Sequence, residues 1–281
     1  GTGSSSNYTL SGVSFDITKR PLDVSGTKVY DGNAIIQGGD ISSFANIVSG
    51  ETLLVSGSGS VSSPSVGQDK NLTLGNLTLE NNAGLASNYS IESGTVNISQ
   101  RPVNLSGSRT YDASTTANSS DLTISNLVLG ETLSLSGSGI LGSPAAGNQT
   151  IVNTNTLSLL DGSGTASNYT LGNGSLTMTL LPRNVNVTGS RSYDGTTTVN
   201  PSDLTNFNNL AGSDSLSLTG TGSISSAHVG SGKTISTIGL SLADGSGVAN
   251  NYILGSATID ITQRVLNLDG VKAFDGTNTV S

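Results

Sequence analysis

Lys28-Val29-Tyr30-Asp31 returns as Arg109-Thr110-Tyr111-Asp112, Arg191-Ser192-Tyr193-Asp194 and Lys272-Ala273-Phe274-Asp275 in a chain of 281 residues. An arginine stands ahead of each copy, at Arg20, Arg101, Arg183 and Arg264, so the landmark recurs at spacings of 81, 82 and 81 residues. A second landmark recurs once per unit, at spacings of 81, 80 and 83: Asn7-Tyr8, Asn88-Tyr89, Asn168-Tyr169 and Asn251-Tyr252. All seven tyrosines belong to one of these two columns. Self-similarity at a fixed period marks tandem structural units. The boundaries that follow are the end of one unit (1–19), three complete repeats (20–100, 101–182 and 183–263) and the beginning of a further unit (264–281).

Between the landmarks the chain alternates apolar and polar residues, as in Leu22-Asp23-Val24-Ser25, Val96-Asn97-Ile98-Ser99 and Leu216-Ser217-Leu218-Thr219. A period of two residues describes half-buried strands. Gly, Asn and Asp interrupt the strands at short intervals, and no long window has a helical apolar period, so the reading is all-β with six or seven strands per repeat. Asp31-Gly32, Asp194-Gly195 and Asp275-Gly276 suit a tight turn, whereas Ala113 makes a turn of positive φ doubtful or strained in the second repeat. Two residues apart in a strand, the cation and the aromatic share a face, so Lys28 or Arg109 can lie along its tyrosine, and a structural role suffices. Thr18-Lys19-Arg20-Pro21 and Ser99-Gln100-Arg101-Pro102 leave no flexible linker between units. The expected fold is therefore a tandem array of small antiparallel β-sandwich-like (Ig-like) repeats forming an elongated rod. A parallel β-solenoid is the rival, disfavoured because the landmarks occur once per unit rather than once per coil.

Composition narrows the function. Apolar residues make up 33% and aromatics 4%, against 37 Gly and 81 Ser plus Thr, so any core is thin and aliphatic. The net charge is -8 and the 11 Lys plus Arg are dispersed, which argues against a nucleic-acid partner. No apolar run is long enough to cross a bilayer as a helix, so no membrane insertion is expected here, and any secretion signal or anchor is expected outside this stretch. The single histidine, His228, has Ser65 and Ala145 at its equivalent positions, so neither catalysis nor an enzyme is expected. Acids recur in three columns: Asp40, Asp121 and Asp203; Glu51, Glu131 and Asp214; Glu80, Asp161 and Asp244. Asp161 and Asp244 open Asp-Gly-Ser-Gly loops whose oxygens suit a hard cation, which makes them calcium candidates. The competing reading gives these acids turn-capping and solubilising roles with no cofactor.

The Tyr-Asp-Gly signature after Arg-Pro and an alternating strand, with Asn-Tyr-Thr-Leu near the end of a unit, resembles the YDG and related MBG repeats of large bacterial surface proteins. Those repeats occur in filamentous-haemagglutinin-like adhesins and other giant exoproteins. The resemblance implies an extracellular, cell-surface location in a Gram-negative bacterium and a stalk or spacer role in cell adhesion or biofilm formation. It implies no catalytic residue. The partners it leaves open are neighbouring repeats of the same chain and a carbohydrate, host or matrix ligand bound by the repeats themselves.

Overall fold

The computed structural model describes residues 2–12 and 14–277. Within 20–100 the alternation becomes eight strands: Arg20–Val29, Ile35–Gln37, Ile41–Ala45, Leu53–Ser56, Ser58–Ser60, Gly67–Asn71, Thr78–Asn81 and Tyr89–Ser99. The opening strand Arg20–Val29 buries Leu22, Val24 and Gly26 and exposes the residues between them. The closing strand Tyr89–Ser99 contributes Tyr89, Val96 and Ile98 to the interior. Together with Ile36, Ile41, Val61 and Leu72, the side chains of Val24, Val96 and Ile98 form the aliphatic core foreseen from composition. Each fully buried Val, Leu or Ile contributes about 1.5–3 kcal/mol. Among the described residues, helical structure is limited to three-residue 3-10 turns.

The opening and closing strands lie side by side and run parallel, with Arg20 opposite Tyr89 and Val29 opposite Ser99. Ile41–Ala45 flanks the opening strand and Gly67–Asn71 the closing one, both antiparallel. Leu53–Ser56 with Thr78–Asn81, and Ile35–Gln37 with Ser58–Ser60, form separate antiparallel pairs. The third repeat repeats this plan, with Arg183–Ser192 parallel to Tyr252–Thr262. The small all-β repeats are as expected, but their strands are not all antiparallel. Alternation has the same period in parallel and antiparallel ladders, so it carries no information on direction. A continuous parallel solenoid is set aside, because each repeat mixes directions and pairs its first strand with its last. That pairing also fixes the path of the chain through a repeat: it enters at one end and leaves at the other.

The second repeat carries the 82-residue spacing because it is one residue shorter than its neighbours ahead of Tyr169 and two residues longer after it, and the two added residues have a visible place. Its closing strand is broken into Tyr169–Thr170 and Thr177–Leu181 around Gly172-Asn173-Gly174-Ser175, where Asn173 adopts φ 61. The first and third repeats have only a register shift at this point. By packing, the chain divides into two units, the cut passing through the second repeat. One unit joins the first repeat to residues 124–136 and 158–175. The other joins the third repeat to residues 105–123, 137–157 and 176–182, whose interior holds Leu105, Leu141, Ile151, Met178 and Leu180.

Gly26, Gly107 and Gly189 occupy the middle of the opening strands, where strand glycine is normally unfavourable. Close approach explains them. The 3-10 turns Gly38–Asp40, Ser119–Asp121 and Pro201–Asp203 pass so near that a methyl group would overlap the carbonyl oxygens of Asp40, Asp121 and Asp203. Gly189→Ala is expected to destabilise the third repeat by about 3 kcal/mol through this overlap. Gly39→Ala, which meets nothing within 4 Å, should stay within about 0.5 kcal/mol of the parent. Chemical denaturation of the two variants checks the contrast, and equal midpoints would refute it.

Candidate functional site

Each residue of the Tyr-Asp-Gly signature has a separate physical task. The backbone N–H of Tyr30 donates to Ser99 O at 2.9 Å, that of Tyr111 to Leu181 O at 2.8 Å and that of Tyr193 to Thr262 O at 2.9 Å. Each tyrosine is thereby fixed beside the last residues of its own closing strand. The aspartate folds the turn: Oδ1 of Asp31, Asp112 and Asp194 accepts the N–H of Asn33, Ser114 and Thr196, each at 2.9 Å. Bonds to the backbone amide and hydroxyl of Thr196, with the Arg191 guanidinium nearby, hold the Asp194 carboxyl below the usual carboxylate range. The third position takes φ 77 at Gly32 and φ 80 at Gly195. Ala113 adopts φ 63, so the turn does require the left-handed region and the second repeat tolerates the strain.

The preceding cation closes the turn. Lys28 Nζ pairs with Asp31 at 2.9 Å and donates to Ile35 O at 2.7 Å. Arg109 pairs with Asp112 and donates to Ser114 O. Arg191 reaches Asp194 at 3.2 Å and Thr196 O at 2.7 Å. The strand ends before the aromatic, and the long side chain finds stronger acceptors ahead of it.

The arginine that opens each repeat positions a second loop. Arg101 Nε donates to Asn126 O at 2.6 Å and Nη2 to Asn126 Oδ1 at 2.9 Å, while Arg183 makes the same pair of bonds to Asn209 at 2.9 and 2.8 Å. Arg20 Nε likewise donates to Asn46 O. Asn46, Asn126 and Asn209 all have positive φ, between 65 and 72, a region that asparagine enters more readily than most residues. Five residues beyond each asparagine stands an acid: Glu51, Glu131 or Asp214.

These acids join the two tyrosine columns. Glu131 accepts Tyr30 Oη on Oε1 at 2.5 Å and Tyr169 Oη on Oε2 at 2.7 Å. Val128 N–H donates to Tyr169 Oη at 3.1 Å. Asp214 accepts Tyr111 Oη at 2.9 Å and Tyr252 Oη at 2.6 Å, with Ala211 N–H on Tyr252 Oη at 3.1 Å. In both cases the tyrosine of one repeat enters the next and meets the tyrosine there edge to face, with ring centroids 5.4 Å apart for Tyr30–Tyr169 and 5.3 Å for Tyr111–Tyr252. Beside each clasp the asparagine of Asn-Tyr turns back to the earlier repeat, Asn168 Oδ1 accepting Val66 N–H at 3.0 Å and Asn251 Oδ1 accepting Ala146 N–H at 2.8 Å. Burial, reinforced by the bonds to Glu131 and Asp214 respectively, pushes Tyr30 and Tyr252 up to about 12. Tyr111 and Tyr169 are raised for the same reasons.

The acid columns thus separate by role. Glu51, Glu131 and Asp214 are tyrosine acceptors, a role that recurrence alone does not disclose. Asp161 Oδ1 and Asp244 Oδ1, the calcium candidates, each accept a backbone N–H at 2.7 Å, from Ala166 and Ala249. In the first repeat the same bond, to Ala86, is made by Asn81 at 2.8 Å. Asn81, not Glu80, is therefore the structural equivalent, and an uncharged side chain serves there. The loop serines are also engaged: Ser163 Oγ accepts Thr132 N–H and Ser246 Oγ accepts Ser215 N–H. Among the described residues no group of three or more His, Cys, Asp or Glu side chains is placed to hold a metal ion. The His228 N–H donates to Ser226 Oγ at 3.3 Å, as Ser65 does to Ser63 and Ala145 to Ser143. The backbone pattern of that loop is indifferent to the imidazole.

Because the folded tyrosines titrate above the ordinary value of 10.0, their contribution is complete below pH 10 and declines as pH rises towards about 12. Thermal midpoints measured across that interval are expected to fall more steeply in the parent than in Tyr30→Phe/Tyr252→Phe, and identical slopes would overturn the assignment. Ala113→Gly relieves a left-handed alanine and is expected to stabilise the second repeat by roughly 1 kcal/mol, read as an increase in denaturation midpoint.

The YDG domain family model matches three consecutive segments, 18–98, 95–178 and 179–259. No curated protein and no solved structure matches the chain. The tyrosine, aspartate and glycine of that signature are the residues that build the turn and deliver its ring into the next repeat, and the chain belongs to the YDG domain family as a run of three such domains.

Proposed function

We propose that this chain is a run of structural spacer repeats from the stalk of a secreted bacterial cell-surface adhesin, projecting a binding domain away from the cell in adhesion or biofilm formation. The observation that carries the reading is the clasp at successive repeats: one carboxylate accepting a tyrosine hydroxyl from each side. A spacer has to resist bending where its units meet. Short covalent junctions already limit rotation between neighbours. A buried aromatic pair with two charge-assisted hydrogen bonds adds a second tether to each junction. Entry and exit at opposite ends of a repeat make every added repeat add length. The resemblance to repeats of filamentous-haemagglutinin-like exoproteins supports the cell-surface setting.

Small-angle scattering of the 281-residue chain tests the mechanical part. An elongated particle is expected, and a compact one would sink the proposal. Glu131→Ala deletes the acceptor of two hydroxyl groups, at a cost of about 2–4 kcal/mol, and is expected to broaden the distribution of scattering distances while the repeats remain folded.

A further inference from the structure

We propose that the repeats carry tension, and that the parallel pairing of the first and last strand of a repeat is the part that resists it. The inference rests on the spacer reading and adds a second mechanical duty to it, since a stalk gripped at its far end is pulled as well as bent. In the first repeat the chain enters at Arg20 and leaves at Ser99. A pull on those two ends draws the opening strand one way along its axis and the closing strand the other way, because the two run parallel. The ladder from Arg20 opposite Tyr89 to Val29 opposite Ser99 is then sheared along its whole length. Its hydrogen bonds cross from strand to strand, so they have to fail together rather than in turn.

Three features oppose sliding. The pair lies inside its sheet, between Ile41–Ala45 and Gly67–Asn71, so neither strand is an edge. A slip of one residue would turn the buried Leu22, Val24, Val96 and Ile98 to the wrong face. It would also carry Thr27 into the place of Gly26, against the Asp40 carbonyl oxygen, where even a methyl group would overlap. The third repeat has the same three: flanking strands Asn206–Asn208 and Gly230–Ser236, buried Val185, Val187, Ile259 and Ile261, and Gly189 against Asp203. The second repeat supplies the contrast. Its opening and closing strands meet in three separate pieces, Arg101-Pro102 with Tyr169-Thr170, Leu105 with Leu176, and Ser108–Thr110 with Thr179–Leu181. A ladder in pieces shares the force among fewer bonds at a time, so this repeat yields first.

Single-molecule stretching tests the proposal. The chain contains no cysteine, so two introduced cysteines are its only attachment points and repeats outside them feel no force. Lys19→Cys/Gln100→Cys pulls the first repeat along the ladder, whereas Lys19→Cys/Ser87→Cys pulls both strands from the same end and peels them apart. These positions, like Pro182 and Gln263, are exposed and outside any strand, and circular dichroism checks that the variants fold. Rupture along the ladder should release roughly 280 Å of chain. It is expected to need at least about twice the force of peeling, which breaks one bond after another. Gln100→Cys/Pro182→Cys should rupture the second repeat at a lower force than the first repeat or, through Pro182→Cys/Gln263→Cys, the third. Equal forces in the two directions, or a second repeat as strong as its neighbours, overturns the proposal. Equal forces in a chain that scatters as an elongated particle would remove this inference and leave the spacer reading standing.

Discussion

A carboxylate shared by two phenol hydroxyls is the constraint around which the repeats are organised. An ionised carboxylate offers only acceptor sites, and a phenol can donate only one proton, so a single acid satisfies two buried tyrosines without leaving a donor unpaired. An apolar core of ordinary depth could bury plain aromatic rings instead. This chain has few apolar residues and only 4% aromatics, and five of its seven tyrosines lie against Glu51, Glu131 or Asp214. Its aromatic surface is thus concentrated where repeats join, leaving aliphatic side chains to fill the repeat interiors.

That concentration depends on the parallel pair at the centre of each repeat. Tyr30 follows the last residue of the opening strand and is bonded to Ser99, the last residue of the closing strand. Arg101, the first residue of the following opening strand, lies two positions further on. The plug and the covalent connection therefore leave the repeat at the same end. Had the two strands run antiparallel, the tyrosine would stand at the end opposite the exit and could not reach the next domain. The interior glycines serve the same arrangement, because the opening strand accommodates the 3-10 turn only where Gly26, Gly107 and Gly189 present no side chain.

The periodicity, the strands and the family signature were legible in the sequence because each rests on local or repeated information. Strand direction was not, since alternation is the same in both ladders. The column Glu51, Glu131 and Asp214 was visible as a recurrence, but its partners were not: Tyr30 and Glu131 are 101 positions apart, and a repeat hides such contacts by making every copy of a residue an equal candidate. The column of Glu80, Asp161 and Asp244 was misaligned by one residue in the first repeat for a related reason. Glu80 has the charge of Asp161, while Asn81 has its shape and its hydrogen bond to the backbone, and the bond determines the position. Alternation put Lys28 and Arg109 on the face of their tyrosines but said nothing of where the opening strand ends. It stops at Val29 and Thr110, and beyond it the turn offers a carboxylate and free carbonyls.

The two clasps are not copies of one another. Glu131 gives one oxygen to each hydroxyl, whereas the shorter Asp214 receives both on Oδ2. The second clasp gains a bond the first lacks, Arg183 Nη1 to Tyr111 O at 3.2 Å, beside its strained Ala113 turn. In an array whose stability is a sum of repeat terms and nearest-neighbour terms, such differences make each junction a separate quantity, in which a change on one side can be matched by a change on the other. Gly32 faces Val128 at the first junction and Ala113 faces Gly212 at the second, a paired change of that kind within one chain. The repeats share a signature because every turn must form, and they differ around it because each turn has to fit only one neighbour.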